Sequence, residues 1–425
     1  MEAESARCRN SCPGHGRQLT KPLIPTAYKI WENPPLLDFV YLLVEAGYTL
    51  ETSPVLTTQV IDRIKAQRAH GMSTGVVTVS RDPEAFASTV GSMLADTQSP
   101  YVCVGPSRLC VRLFDAAFSV RRFIRRYGAK YVYVRDPWSA LAHQMAFPIG
   151  GPDLIYDMRG DVAAEARFNG TSRAKRWVID RLMSRAVRHA NLHYAVSTHA
   201  ARLMADQYGA RDVHVIPSCV DIASFEQASS ERDAVRQSLG VAESDVLVVY
   251  AGGDQRYQML PHMFRIWHSM ASDDSVRFLA LTNDTTRVEG GIELDIPRGR
   301  GTRISVDRDR IPAYLNAADI GFLLRSPDPL NTVASPVKFG EYLAAGLSVI
   351  SSPGIGDVSN LIEQQNLGVL VDPNSPELAA KTSLKLVSRV RENRAMLSGR
   401  SRETARNKYS WGAYLADWNG ILEDT

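Results

Sequence analysis

Residues 335–350 read Ser-Pro-Val-Lys-Phe-Gly-Glu-Tyr-Leu-Ala-Ala-Gly-Leu-Ser-Val-Ile, the stretch of this chain whose residue types and spacing best suit chemistry. The order predicts a loop, a helix opening near Val337, a glycine that ends it and a buried strand. A helix N-terminus presents unpaired backbone N–H groups and the positive end of a dipole, which suits a diphosphate. Lys338 in that first turn has the wrong sign for the dipole unless an anion lies between them. Glu341, one turn on, could accept hydrogen bonds from ribose hydroxyls.

Two series of elements must position these groups. In the first half, Val76–Val79, Tyr101–Val104, Tyr131–Val134, Leu154–Tyr156, His193–Val196 and His214–Ile216 read as buried parallel strands, and Leu36–Ala46 as a helix ended by Gly47. The segment from Ile216 to Asp221 reads as a linker. A second series follows with Val246–Tyr250, Phe278–Leu281, Arg303–Val306, Ile320–Leu324, Ser348–Ile350 and Gly368–Val371 as strands. Glu377–Leu397 is predicted helical, and Trp411–Leu422 a closing helix. Strands separated by helix-length segments imply repeated βαβ units and two doubly wound sheets. The predicted division is a tail at 1–21, domains at 22–218 and 219–408, and the closing helix at 409–425.

Composition narrows the class. Hydrophobic residues make up 44% and charged residues 22%, the balance of a globular enzyme. No apolar run approaches the ~18 residues of a membrane span, and the first residues lack the apolar stretch of a secretory signal, so a cytoplasmic protein is expected. Five cysteines do not make a disulfide framework in a chain of this length. Cys8 and Cys12 with His15 could hold a metal, against a plain tail with no fourth ligand nearby. Residues 1–225 carry 27 Lys and Arg against 20 Asp and Glu, whereas residues 226–425 carry 22 against 26. The basic half suggests an anionic partner. Its positive residues concentrate on two helices: Arg108, Arg112, Arg122, Arg125 and Arg126 opposite an apolar stripe from Leu109 to Tyr127, and the segment Arg173–Arg188. They form either a solvated face or a contact for anionic lipid headgroups.

The motif at 335–350 resembles the donor-site motif of the family 4 retaining glycosyltransferases, and more narrowly a bacterial subgroup with the pattern Ser-Pro-x-Lys-x-x-Glu-Tyr-Leu-Ala. Weaker similarity extends through Gly354–Val358, Gly368–Val371, Ile311–Leu323, Tyr250–Gly253, Tyr133–Pro137, Asp157–Gly160 with Glu165, and Val196-Ser197. The resemblance implies an α/β GT-B fold, with two Rossmann-like domains facing across a cleft. It implies transfer of a sugar from a UDP- or GDP-sugar to a lipid-linked or saccharide acceptor, with retention and without a metal or other cofactor, in surface polysaccharide or glycolipid synthesis. By motif position Glu341 takes the ribose; Gly252 and Gly253 let backbone approach the phosphates; Ser335 lines the donor site; and Arg256 and Lys338 neutralise the departing diphosphate. Arg256 could equally be a surface arginine.

The acceptor side is expected at the carboxyl ends of first-half strands, where open α/β sheets bind ligands. Asp157 is the candidate to take the acceptor hydroxyl's proton, with Arg159 and Glu165 beside it, although an Asp–Arg pair two apart is as often structural. Arg135 and Asp136 stand where many relatives carry a histidine, and either bind an anionic acceptor or pair with each other. Val333 stands where many relatives carry a first glutamate. Asp307-Arg308-Asp309 matches a metal-binding Asp-x-Asp, but the following Ile311-Pro312 makes Asp309 read as a helix N-cap. Two other classes compete: a nucleotide-sugar 2-epimerase, which shares the fold, and a non-catalytic scaffolding subunit. Nucleic acid is not expected, since the arginines lie without aromatic platforms or a known motif.

Overall fold

The computed structural model describes residues 27–28, 36–44, 57–80, 83–97, 99–105, 109–282, 288–289, 292–293 and 296–415, with 418 and 420. The expectations for the 1–21 tail and for Cys8, Cys12 and His15 fall outside these residues, as do Arg108 and the side chain of Arg112.

The first half builds β1 (Ala27–Tyr28), β2 (Phe39–Val44), α1 (Asp62–Ala69), β3 (Thr74–Val79), α2 (Pro83–Met93), β4 (Tyr101–Val104) and α3 (Leu109–Tyr127). It continues with β5 (Tyr131–Val134), α4 (Pro137–Ala146), β6 (Asp153–Met158), α5 (Val162–Phe168), α6 (Arg173–His189), β7 (Leu192–Ala195), α7 (Thr198–Tyr208) and β8 (Val213–Val215). The sheet order is β1-β4-β3-β2-β5-β6-β7-β8, parallel throughout except for β1. Strands between two helical layers need apolar side chains on both faces, so they read as continuous runs without alternation.

That rule explains a misread element. Residues 36–46 were expected to form a helix, but Phe39–Val44 is the central strand β2, paired with β3 and β5 and buried at all six positions. An uninterrupted apolar run fits a buried strand and a buried helix equally well.

The second half contains α8 (Ile222–Gln227), α9 (Arg232–Ser238), β9 (Val246–Ala251), α10 (Leu260–Met270), β10 (Val276–Leu281), the short hairpin β11 (Val288–Glu289) and β12 (Ile292–Glu293), and β13 (Gly301–Ile304). After these come α11 (Ile311–Ala317), β14 (Ile320–Leu323), α12 (Pro329–Thr332), α13 (Val337–Ala344), β15 (Ser348–Ser351), α14 (Val358–Gln364), β16 (Gly368–Leu370) and α15 (Pro376–Lys408). Six strands form an all-parallel sheet in the order β13-β10-β9-β14-β15-β16. Helix α15 outruns the expected 377–397 and breaks its helical geometry at Asn393. Asp309 is not an N-cap: it lies in a 3₁₀ turn, Arg308–Arg310, that precedes α11, and Arg310 takes the position before the helix.

The chain then returns to the first sheet. The expected closing helix begins as a 3₁₀ turn, Trp411–Tyr414, and Trp411, Leu415 and Trp418 enter the first half's core. Trp418 stacks on Tyr194 at 4.9 Å and meets Phe39 edge-on at 5.2 Å. Burying two tryptophans against the other half ties the C-terminus to it more firmly than a solvated tail would.

Candidate functional site

At the carboxyl end of β9, Gly252 has φ of +139°, a region open to glycine and rarely to other residues. A Cβ there would collide with Nζ and Cε of Lys338. The missing side chain is therefore the space that the lysine occupies. Helix α13, which carries Lys338, has Pro336 before its first turn and no side chain capping its N–H groups. Gly346, with φ of +84°, turns the chain out of it and into β15.

Lys338 Nζ donates to the Tyr250 hydroxyl at 3.0 Å and to Gln258 Oε1, and lies 4.3 Å from the centre of the Tyr250 ring. Burial pushes its ammonium well below the usual lysine range, and Arg325 pushes in the same direction. Neither Tyr250 nor Gln258 brings a formal negative charge to the ammonium, so the lysine is desolvated among neutral dipoles beside another cation, with Glu341 opposing both effects. Such a site gains from an anion placed between the two.

Arg325 was missed in the sequence. Its guanidinium lies 4.5 Å from the centre of the Tyr257 ring, and its Nε is buried with no hydrogen-bond partner. The signal was present: Arg325 is the first charged residue after β14, at the carboxyl edge where such sheets bind ligands. Arg256 lies in the 3₁₀ turn Arg256–Gln258, exposed, with its guanidinium 5.7 Å from the Phe168 ring of α5. Phe168 also meets Tyr257 at 6.2 Å, so α5 faces the Arg256–Gln258 turn. Glu341 sits one turn after Lys338; burial pushes its carboxyl up, and Arg308 and Lys338 oppose that. Arg308 pairs across the halves with Asp62 of α1 at 3.9 Å.

Other expected residues take structural places. Ser335 Oγ accepts from the backbone N–H of Ser218 in the linker at 3.1 Å. Val333 is buried in the first half's core, and its carbonyl accepts from Ser197 Oγ at 2.8 Å. The side chain packs across the domain boundary, where a lone carboxylate would be costly. Asp136 is the N-cap of α4, accepting from Trp138 and Ser139 N–H at 2.9 Å each and from the Ser139 hydroxyl at 2.5 Å. Arg135 beside it adds a positive charge that favours the Asp136 carboxylate, while burial pushes the carboxyl up. Both of its oxygens are thus engaged in starting the helix.

Asp157 is only 1% exposed, and it accepts from the Tyr133 hydroxyl while lying 3.5 Å from both Arg63 and Arg159. Its carboxylate lies against two arginines, the structural pairing that the sequence left open beside a proton acceptor. Arg159 in turn donates to the carbonyl of Ile216 and to Gln59 Oε1, both at 2.8 Å, and to Pro217 O and Ser218 Oγ at 3.3 Å. It therefore ties the first sheet to the linker that Ser335 also grips. Glu165 is exposed on α5, its carboxyl raised by the protein around it. A further carboxylate crosses the boundary: Asp357 accepts from the Thr198 N–H at the start of α7 at 2.8 Å and lies 3.1 Å from His199 Nδ1.

Two parallel Rossmann-like sheets with a C-terminal return to the first are matched by solved structures over almost their full length. Sucrose-phosphate synthase from Thermosynechococcus elongatus aligns with a TM-score of 0.66 at 13% identity, covering 91% of this chain and 98% of that one. HepE from Anabaena, in complex with UDP-glucose, aligns at 0.65 and 17% identity, covering 91% and 100%. WaaG, a glycosyltransferase involved in lipopolysaccharide biosynthesis, aligns at 0.56 and 16% identity, covering 90% and 99%. The fold is GT-B. The sequence pattern of Glycosyltransferase Family 4 matches residues 56–224, most of the first half together with the linker and the start of α8. No curated protein sequence matches the chain. In the GT-B frame the Lys338 cluster lies in the second domain, and α5 approaches it from the first.

Gly252→Ala tests the arrangement. The added methyl group should push the ammonium off Tyr250 and weaken nucleotide binding about tenfold, the equivalent of losing one hydrogen bond to a charged group. Titration calorimetry with UDP would read it, and unchanged affinity would refute the placement.

Proposed function

We propose that this protein is a glycosyltransferase of the family 4 kind that moves a sugar from a nucleoside-diphosphate sugar, UDP- or GDP-linked, to a lipid-linked or saccharide acceptor. The observation that carries the reading is the desolvated Lys338 ammonium beside Arg325, under the side-chain-free Gly252 turn and at an uncapped helix N-terminus. Cleavage of the donor's glycosidic bond sheds negative charge onto the diphosphate, and preorganised positive groups at that point lower the barrier most. Lys338 and Arg325 meet the diphosphate from the second domain and Arg256 from the turn facing α5. Glu341 takes the ribose hydroxyls, and Gly253 with the first N–H groups of α13 line the phosphates. These cations supply the charge compensation, so the reading calls for no metal. Retention and a role in surface polysaccharide or glycolipid synthesis complete the proposal, together with work at the cytoplasmic face of a membrane.

The test is thermal unfolding with UDP, GDP and ADP, alone and after Glu341→Ala. Ligand at a hundredfold over its dissociation constant stabilises by about 2.7 kcal/mol. One nucleotide should raise the midpoint by several degrees, and Glu341→Ala should cancel most of it. No shift with any of the three would refute the donor site. A shift without sugar transfer to any acceptor would favour the scaffolding class, and conversion of the sugar nucleotide without acceptor would favour the epimerase.

A further inference from the structure

Helix α5 begins where Asp161 accepts from the Ala164 N–H at 2.8 Å, and the same carboxylate lies 3.7 Å from Arg167. Its buried face is Ala163, Ala164 and Ala166, and it packs against α12 of the second half. Phe168, the last residue of the helix, is half-buried. The helix thus delivers one aromatic side chain across the boundary between the halves. Its ring meets that of Tyr257 with planes at 62°, an edge-to-face arrangement that two aromatic quadrupoles favour.

On the second-domain side the receiving surface is stitched together. The Ser326 N–H donates to the Tyr257 carbonyl, and Asn331 Nδ2 donates to the Ser326 carbonyl, both at 2.9 Å. Ser352 Oγ accepts from the Arg325 N–H at 2.8 Å and donates to the Arg325 carbonyl at 3.0 Å. The turn at 256–258 and the segment at 325–331 therefore behave as one body. Each presents an arginine to a ring: Arg256 to Phe168 at 5.7 Å and Arg325 to Tyr257 at 4.5 Å. The order is arginine, ring, ring, arginine, with Phe168 alone coming from the first domain. Among the described residues neither guanidinium has a carboxylate partner, and Arg325 Nε is buried without an acceptor. The negative ring faces are what hold these two cations in place.

We propose that Phe168 is a positioning residue for the donor diphosphate. Its ring restrains Arg256 directly and Arg325 through Tyr257, so that a first-domain side chain aligns the second domain's phosphate-facing cations. The inference rests on the donor-site reading. An unrestrained arginine loses rotamer freedom when it closes on an anion, and a restrained one has already lost it, so restraint beforehand strengthens binding. The ring does this through its charge distribution as well as its bulk. Leucine would fill much of the same space against α12 but offers a cation no negative face. The phosphates, and not the base or ribose, should therefore sense what stands at position 168.

Titration calorimetry of the full chain tests it, with UDP, GDP and ADP on the parent and then with the diphosphate that binds and its nucleoside on each variant. Phe168→Leu should weaken the diphosphate about fivefold, the loss of one cation–ring contact. It should leave the nucleoside's affinity and the unfolding midpoint of the free protein in place. Phe168→Tyr and Phe168→Trp keep the ring and should bind the diphosphate within about twofold of the parent. In an Arg256→Ala background the change to leucine should cost less than in the parent, because the contact it removes is already gone. Equal diphosphate affinity in the parent and Phe168→Leu would overturn the inference. So would equal weakening of diphosphate and nucleoside, failure of Tyr and Trp to restore binding, or an undiminished loss in the Arg256→Ala background. A parent that binds none of the three diphosphates would strike the donor-site reading itself and carry this inference with it, an outcome distinct from the other four.

Discussion

Replacing Lys338 by alanine should leave a folded protein whose sugar transfer is slower by about a hundred- to a thousandfold, the usual cost of removing one preorganised group from developing charge. The side chain contributes little to stability, because it holds a cation away from water among neutral partners, with Arg325 adding repulsion. Removing a desolvated charge that is hydrogen-bonded to neutral groups, with Glu341 only in part opposing burial and Arg325, costs little, so the unfolding midpoint should change little. Arginine should not rescue the rate. The lysine fills the volume left open at Gly252, and a planar guanidinium is too wide for it. The decisive measurement pairs the rate of nucleoside diphosphate release with the midpoint of each variant. Unchanged release would remove Lys338 from the chemistry, and a collapsed midpoint would make it structural.

Asp157→Ala should have the opposite profile. The substitution strands Arg63, which is 2% exposed and packed between the Tyr133 ring at 4.2 Å and the Trp418 ring at 4.0 Å. Breaking a buried pair from one side costs about 3–5 kcal/mol, and at roughly 2–4 °C per kcal/mol the first domain's midpoint should fall by about ten degrees. Tyr133 is held well above its usual range by burial, so its hydroxyl stays protonated and goes on donating to this carboxylate. Asp157→Asn keeps the shape and should lose less stability. If Asp157 instead took the acceptor's proton, Asp157→Asn would abolish transfer while leaving the midpoint in place. Calorimetric unfolding beside initial rates separates the two outcomes.

The residues expected on the donor side were legible because they are local in sequence. Lys338, Glu341 and the helix that presents them lie within one turn of sequence, and the glycine after them announces the strand. Arg325 escaped notice because its neighbours are Tyr257 and Lys338, brought to it by the sheet and not by the chain. The acceptor side was harder to read for a related reason. Asp136 and Asp157 stand at strand ends where ligands bind, yet a carboxylate at a strand end also starts the next helix or anchors a buried arginine. Only their partners distinguish these roles: the Ser139 N–H for one, and Arg63 from a distant helix for the other.

The sequence by itself determined the two doubly wound sheets, nearly every strand within them and the helix that opens at Val337, since apolar runs, glycines and helix starts act through near neighbours. Tertiary structure decided what those signals leave open. It placed Phe39–Val44 at the centre of a sheet, where burial on both faces removes the alternation that marks a strand. It turned Val333 into an interdomain contact and Ser335 into a grip on the linker. It also set α3 and α6, forty or more residues apart, on either side of α4 in one layer, because a parallel sheet places the crossover helices of successive strands side by side.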